Sequence, residues 1–247
     1  FRAALDAAHS VTWQNNDITS EYVLTSEIAI LTSLDVPNHN ISDLTGIEDF
    51  AMLDDLNCWG NQLTSLNVSN NGALTILNCM SNQLTSLDVS GATTLVDLNC
   101  GVNQLTTLDL IDTSGAVDVA YNPALEILWC FDNQLTSLDV SLNTALISFY
   151  CQTNNLTSLG VSTNVAIEVL HCMLNQITSL DLRNNIALTS LVCHDNQLTS
   201  LDVRNGNNIN LDIQAQNNNP MTVYVDDLTI AANKVALGFP GGWSFDA

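Results

Sequence analysis

Leu74-Thr-Ile-Leu77-Asn-Cys79-Met-Ser-Asn82-Gln-Leu84-Thr-Ser-Leu87-Asp-Val89-Ser is one copy of a phrase that recurs along most of the chain. A cysteine takes the same place in each of seven copies, and successive cysteines are 21, 21, 30, 21, 21 and 21 residues apart. They are Cys58, Cys79, Cys100, Cys130, Cys151, Cys172 and Cys193. So regular a spacing predicts a solenoid in which each copy forms one coil.

The spacing within one copy predicts the shape of a coil. Leu77 and Cys79 alternate with outward positions at a period of two, which indicates a strand with one buried side. After a turn, Leu84, Leu87 and Val89 point inward again from a second extended run. Twenty-one residues leave no room for a convex helix, so we expect short extended segments in its place. One coil cannot bury its own core, but stacked coils can.

The pattern L-x-x-L-x-L-x-x-N-x-L, with cysteine in its third apolar slot, is that of leucine-rich repeats. We therefore predict a β-rich leucine-rich-repeat solenoid of 21-residue coils, with a parallel strand face, a buried cysteine ladder and a buried asparagine ladder. The asparagine follows each strand, where its amide can satisfy backbone groups that the turn removes from water. The ladder asparagines are Asn61, Asn82, Asn103, Asn133, Asn154, Asn175 and Asn196.

The ends of the chain depart from the repeat, as solenoid ends must. Residues 1–30 predict an N-terminal cap that is partly helical, because Phe1, Leu5 and Ala8 suit a short amphipathic helix. The solenoid is predicted over 31–219 and begins with a degenerate coil in which Val36 takes the cysteine slot. Residues 220–247 predict a C-terminal cap or the start of a truncated module. The nine additional residues near 111–119 predict a loop away from the strand face.

Three roles are open to the cysteines. Neighbouring strands are about 4.8 Å apart, which suits a disulfide in distance, but equivalent side chains point the same way and the count is odd. Zinc needs a tetrahedral cluster, and the sequence has neither C-x-x-C nor H-x-x-x-H. The favoured interpretation is that each cysteine is a small buried hydrophobic side chain in a slot too narrow for leucine.

Composition excludes several classes of partner. The chain has 4 basic and 26 acidic residues, for a net charge of −22, and its basic residues are scattered. Nucleic acid and anionic membranes require a clustered basic face. No apolar stretch approaches the roughly 20 residues of a membrane span. We therefore expect no nucleic-acid binding and no membrane insertion.

The phrase N-Q-L-T-S-L-D-V-S-x-N-x-A-L-x-x-L-x-C resembles two related groups of bacterial proteins. One has the internalin J-like 21-residue cysteine-containing repeat, and the other comprises secreted leucine-rich-repeat proteins of marine Bacteroidetes. The resemblance covers roughly residues 30–220, including Asn40-Ile-Ser-Asp-Leu-Thr-Gly-Ile-Glu-Asp-Phe50, which is similar to the first coil of the second group. It implies a secreted or bacterial cell-surface protein that binds proteins or glycans.

The strand face carries the clearest functional signal. If leucine and cysteine point inward, the residues before and after each cysteine point outward, and the coils from Cys130 to Cys193 then expose aromatic and apolar side chains together. Such a patch in a chain with only 6% aromatic residues indicates a binding site. The candidate binding residues are Trp59, Trp129, Phe131, Asp132, Tyr150, Gln152, His171, Met173, His194 and Asp195. Sugar stacking and a protein hot spot suit this set equally, and the alternative is a rigid ladder of rings packed on each other.

Other columns permit weaker hypotheses. An aspartate column could bind calcium, or each aspartate could accept a hydrogen bond from the following turn, which is the simpler explanation. It contains Asp88, Asp109, Asp139, Asp181 and Asp202, and it is broken by Asn67 and Gly160. A threonine column resembles those of ice-binding proteins, although threonine also favours strands. It contains Thr64, Thr85, Thr106, Thr136, Thr157, Thr178 and Thr199.

Catalytic and cofactor motifs do not occur in the sequence. His171 and His194 fall on adjacent coils near Asp195, but they are best explained as exposed strand residues rather than as a metal or acid–base site. We therefore expect no enzyme, no metal and no cofactor. The predicted function is recognition or adhesion, by a monomer, of a protein or glycan on a host, a neighbouring cell or a matrix. The alternative is a structural spacer that displays another domain.

Overall fold

The computed structural model describes residues 30–112, 119–206, 211–227 and 244–246. These residues form a parallel β-solenoid whose coils repeat about every 21 residues. The predicted fold class is confirmed. The predicted N-terminal cap over 1–30 lies outside the described residues except for Ile30, and so does much of 220–247.

The strand face is a nine-stranded parallel sheet to which each coil contributes three residues. Its strands, in spatial order, are β1 (Ser33–Asp35), β2 (Asp55–Asn57), β3 (Ile76–Asn78), β4 (Asp97–Asn99), β7 (Ile127–Trp129), β8 (Ser148–Tyr150), β9 (Val169–His171), β11 (Ser190–Val192) and β13 (Asp212–Gln214). The strands pair in register, so Leu56 lies beside Leu77 and Leu77 beside Leu98. Leucine therefore stacks on leucine along the core.

The side opposite the strand in each coil is extended rather than helical. Towards the C-terminus it forms a second parallel sheet of β10 (Ser179–Asp181), β12 (Ser200–Asp202), β14 (Thr222–Tyr224) and β15 (Ser244–Asp246). In the described part of the chain, one 3-10 turn at Ile47–Asp49 is the only helical element. The predicted replacement of convex helices by short extended segments is confirmed.

The 30-residue interval between Cys100 and Cys130 contains a small hairpin. β5 (Ile111–Asp112) and β6 (Val119–Ala120) pair antiparallel and belong to neither of the two parallel sheets. The hairpin leaves its coil after the second extended run, as the insertion was predicted to do.

The cysteines form a ladder inside the solenoid. All seven side chains have no solvent exposure, and all seven are free thiols. Burial raises the pKa of Cys79, Cys130 and Cys172 to about 12, because a thiolate would lose its hydration in this apolar column. The cysteines therefore act as small core side chains, as the favoured interpretation holds.

The asparagine ladder ties each turn to the coil before it. Asn154 donates from Nδ2 to the Cys130 and Cys151 carbonyls at 3.0 and 3.2 Å, and its Oδ1 accepts from the Leu135 N–H at 2.9 Å. Asn82 and Asn175 make the same three contacts with their own neighbours. One amide thus satisfies three backbone groups that the stacked turn has removed from water.

A second row of buried asparagines lies on the return segment, and the sequence analysis did not predict it. Asn164 donates from Nδ2 to the Val140 and Asn143 carbonyls at 2.8 and 2.9 Å, and Asn185 repeats this one coil later. The row contains Asn71, Asn122, Asn143, Asn164, Asn185 and Asn205. The first five leave the side-chain oxygen buried without a partner among the described residues, so these five satisfy carbonyls but no N–H groups there.

The aspartate column forms turns. Asp88, Asp139, Asp181 and Asp202 each accept a hydrogen bond at 2.8–3.2 Å from the backbone N–H two residues further on. These are the contacts that the simpler explanation of the column requires. These four aspartates therefore have a structural role in the turns.

The thiol ladder predicts how the cysteines react. Native protein at pH 8 should react negligibly with a thiol-specific dye, because the thiols are buried and protonated. In denaturant all seven should react, since seven free thiols are present. Absorbance titration under both conditions measures this. Fewer than seven reactive thiols in denatured protein without a reducing agent would contradict the assignment of seven free thiols.

The ladder amide predicts a large loss of stability on truncation. Asn154→Ala should lower the free energy of unfolding by about 3 kcal/mol, because it leaves several buried backbone groups without partners. Asn155→Ala is the matched control, because the Asn155 side chain is next in sequence and exposed. It should change the free energy of unfolding by less than about 0.5 kcal/mol. Urea unfolding followed by circular dichroism distinguishes them, and equal losses would remove the ladder's assigned role.

Candidate functional site

The strand face changes character along its length. In β2, β3 and β4 the outward residue before cysteine is Asn57, Asn78 or Asn99, and in β7, β8 and β9 it is Trp129, Tyr150 or His171. Registered pairing places Trp129 beside Tyr150 and Tyr150 beside His171. The sheet therefore brings the predicted rings together, because in-register strands place equivalent side chains side by side.

The rings pack closely on one another. Trp129 and Tyr150 stack with their centroids 3.8 Å apart and their planes at 6°. His171 meets Tyr150 edge-on at 4.9 Å, and Phe131 meets Trp129 at 6.3 Å and 71°. All four side chains are half-buried. We call Trp129, Phe131, Tyr150 and His171 the aromatic patch. Its rings pack as the rigid-ladder alternative requires, and their outer edges remain accessible.

Gly101 leaves room for the Phe131 ring. A Cβ added to Gly101 would lie 2.8 Å from Phe131 Cε1, too close for an ordinary contact. The ring therefore lies over the Gly101 backbone, in the row that Trp59 and Met80 occupy in earlier coils. Any larger residue at Gly101 would displace Phe131 from the patch. The repeat pattern alone does not reveal this role of Gly101.

The row after cysteine extends the patch with mixed chemistry. Gln152, Met173 and His194 follow Phe131 and are half-buried. Gln152 Oε1 is buried without a hydrogen-bond partner, which is costly unless a binding partner supplies a donor. His194 Nδ1 lies 2.5 Å from Asp195 Oδ2, so His194 pairs with its own neighbour rather than with His171.

Three predicted site residues have other positions or roles. Asp132 and Asp195 adopt φ of 50° and 54°, in the left-handed turn that follows each strand, where aspartate is tolerated better than most residues. Trp59 is 37% exposed but lies two residues after the end of β2, three strands from β7, or about 14 Å at the usual strand spacing. It does not join the aromatic patch.

Acidic and apolar side chains that the analysis left out of the candidate set surround the patch. Glu126 and Glu168 are exposed, one residue before strands β7 and β9 respectively. Ile127 and Val169 are half-buried outward residues of the same strands, and Leu174 is 48% exposed. Strand alternation could have identified Ile127 and Val169, because they lie two residues before Trp129 and His171 and so point to the same side of the sheet.

Burial changes the titration of several outward groups. Desolvation between Tyr150 and Val192 lowers the pKa of His171, which favours its neutral form. At the other end of the face, desolvation first and then neighbouring carboxylates raise the pKa of Asp55 and Asp97. Among residues 30–112, 119–206, 211–227 and 244–246, no three His, Cys, Asp or Glu side chains are placed to hold a metal ion.

The fold and the two ladders define the class: the chain is a leucine-rich-repeat protein whose coils enclose a column of cysteines. No protein-family model matches the sequence, and no curated protein matches it. The described residues contain no helix long and apolar enough to cross a membrane.

Solved structures similar to this chain include those of bacterial leucine-rich-repeat proteins. The functional domain of InlJ from Listeria monocytogenes, which includes a cysteine ladder, is 33% identical over 78% of this chain and 55% of that one, with a TM-score of 0.43. A Leptospira interrogans leucine-rich-repeat protein is 22% identical over 78% and 57%, with a TM-score of 0.62. Listeria internalin C2 is 20% identical over 90% and 91%, with a TM-score of 0.67.

The chain thus spans little more than half the length of the first two of these structures. The likeness to bacterial leucine-rich-repeat proteins that the sequence predicted is confirmed.

The half-buried imidazole of His171 predicts a pH effect on stability. The pKa of His171 is lowered in the fold, so the unfolded chain binds a proton more readily, and stability should fall as pH drops below about 6.5. His171→Asn should flatten the dependence of the melting temperature on pH between pH 7.5 and 5.5, compared with wild type. Thermal melts across this range compare them. An unchanged slope in His171→Asn would contradict the assignment.

Proposed function

We propose that this protein is a non-catalytic recognition module that binds a partner protein through the strand face around the aromatic patch. The observation that carries the proposal is the cluster of Trp129, Phe131, Tyr150 and His171 on three adjacent strands. Aromatic residues with accessible edges and a partly desolvated setting are typical anchors of protein interfaces. We further propose that the module is secreted or displayed on a bacterial cell surface, as similar proteins are.

The ring geometry favours a protein over a glycan at this face. A sugar ring stacks on the flat face of an aromatic side chain. One face of Trp129 is covered by Tyr150 at 3.8 Å, and the other side of Tyr150 receives the edge of His171. The remaining ring edges suit side chains that insert between them, as at a protein hot spot.

Charge indicates the kind of protein partner. The chain carries a net charge of −22, and exposed Glu126, Asp132 and Glu168 border the aromatic patch. A partner with an apolar centre and a lysine- or arginine-rich rim would complement both features. Association should then be faster at low ionic strength, because long-range attraction between opposite charges is screened by salt.

The test compares two aromatic sites on the same face. A screen of surface proteins and glycans from the natural surroundings of the organism should yield a protein that binds wild type. Trp129→Ala with Tyr150→Ala should weaken that binding by at least about 2 kcal/mol, the usual threshold for a hot spot. Trp59→Ala, an exposed tryptophan outside the patch, should have little effect.

The controls separate loss of binding from loss of fold. Thermal melts of the double variant should stay cooperative, because both rings lie outside the leucine and cysteine core. Binding that survives the double variant, or that falls equally in Trp59→Ala, contradicts the proposed site. A glycan that binds through the patch would replace the protein proposal, and no ligand at all would favour the spacer.

A further inference from the structure

A polar groove lies on the second extended run, on the side of the coil away from the strand face. It encloses about 650 Å³ and crosses three successive coils, next to the base of the β5–β6 hairpin. Leu108 and Leu138 form apolar parts of its lining, and Tyr121 lies at the hairpin end. Its volume is within the range of small-molecule sites, which is roughly 300–1,000 Å³.

One aspartate of the column is missing where it would line the groove. Gly160 stands where the neighbouring coils have Asp139 and Asp181, and a Cβ placed there would meet nothing within 4 Å. Asp139 Oδ1 accepts from the Ser141 N–H at 2.8 Å. The equivalent Ser162 N–H has no acceptor in the described part of the chain. Gly160 thus leaves open space in the groove, and the Ser162 N–H is a backbone donor at the edge of that space.

The carboxylates of the groove are not neutralised. In the two following coils, Arg183 and Arg204 each lie 2.6 Å from the carboxylate of Asp181 or Asp202. Among the described residues no cation pairs with the Asp109 and Asp139 carboxylates, which both line the groove. These two side chains are therefore able to accept further hydrogen bonds.

Hydroxyl groups supply the remaining polar surface. Side chains of the same extended run bring them from each of the three coils. The hydroxyl-bearing residues that line the groove, besides Tyr121, are Thr107, Ser137, Ser141, Ser158, Ser162 and Thr163. A hydroxyl both donates and accepts, whereas a carboxylate only accepts and a backbone N–H only donates. The Thr163 hydroxyl already donates to the Ser141 carbonyl at 2.6 Å, so it offers an acceptor. The groove therefore presents donors and acceptors side by side over a small apolar floor.

We propose that this groove binds a neutral saccharide of one or two rings. Vicinal sugar hydroxyls can donate to Asp109 and Asp139 and accept from the Ser162 N–H and the serine hydroxyls, while the carbon face rests on the leucines. An anionic ligand would be repelled by the carboxylates and by the net charge of −22. A cation would leave the Ser162 N–H without an acceptor. Only a ligand rich in both donors and acceptors uses the whole lining.

The experiment measures binding of a defined panel by saturation-transfer NMR and calorimetry. The panel contains glucose, galactose, mannose, N-acetylglucosamine, maltose and cellobiose, with spermidine and sulfate as charged comparisons. Gly160→Asp restores the aspartate found in other coils, supplies an acceptor for the Ser162 N–H and adds a side chain within the groove, where a Cβ meets nothing within 4 Å. Asp139→Asn removes the charge but keeps the turn, since Asn67 makes the same contact with Ser69 at 3.1 Å.

At least one neutral saccharide should bind wild type, and each variant should weaken that binding about tenfold or more, as the loss of a charged hydrogen bond implies. Gly72→Asp, which adds the same charge at an exposed site outside the groove, should bind like wild type, and so should Trp129→Ala. The site is wrong if no saccharide of the panel binds, if Gly160→Asp binds unchanged, or if only spermidine binds. Because Trp129→Ala is a control, failure here leaves the strand-face proposal untouched.

Discussion

The hydrogen bond from a buried asparagine amide to backbone groups of two stacked coils is the contact on which this solenoid depends. Each strand is only three residues long, so the ladder of strand hydrogen bonds ends almost at once and the chain must turn against its neighbours. Some backbone groups in that turn, such as the Cys130 carbonyl and the Leu135 N–H, lose water without gaining a backbone partner. Asn154 and its equivalents supply those partners, which is why the turn can be buried and the coils can stack at strand spacing.

This constraint confines functional variation to a few positions. The inward leucine, cysteine and asparagine of each coil are fixed by the coils on both sides, so new chemistry can appear only outside the core or where a side chain is removed. Both proposed sites follow this rule. Phe131 occupies space left by Gly101, and the polar groove occupies space left by Gly160. In a repeat protein, a glycine that interrupts a column of larger residues is thus a useful indicator of a site.

Sequence reasoning predicted what periodicity controls and missed what depends on neighbours. Alternation placed Leu77 and Cys79 inside and Trp129 and Tyr150 outside, because a strand has a period of two and coils stack in register. The second asparagine row recurs in the phrase N-x-A-L, but its role requires knowing which carbonyls the return segment buries. Stacking of Trp129 on Tyr150 depends on side-chain rotamers, and the groove depends on three coils and a hairpin at once. Neither is encoded in a single repeat.

The distribution of charge explains how one narrow solenoid can offer two unlike surfaces. Cations are present at Arg183 and Arg204, where they neutralise the aspartate column of the C-terminal coils, whereas in the middle coils that column remains anionic. On the opposite side of the same middle coils, the strand face is apolar with an acidic border. Since each coil contacts only its neighbours, both surfaces depend on the same few coils staying folded. A change in the core at Cys130 or Phe149 should therefore disturb both surfaces, while a change in an outward side chain should affect only one.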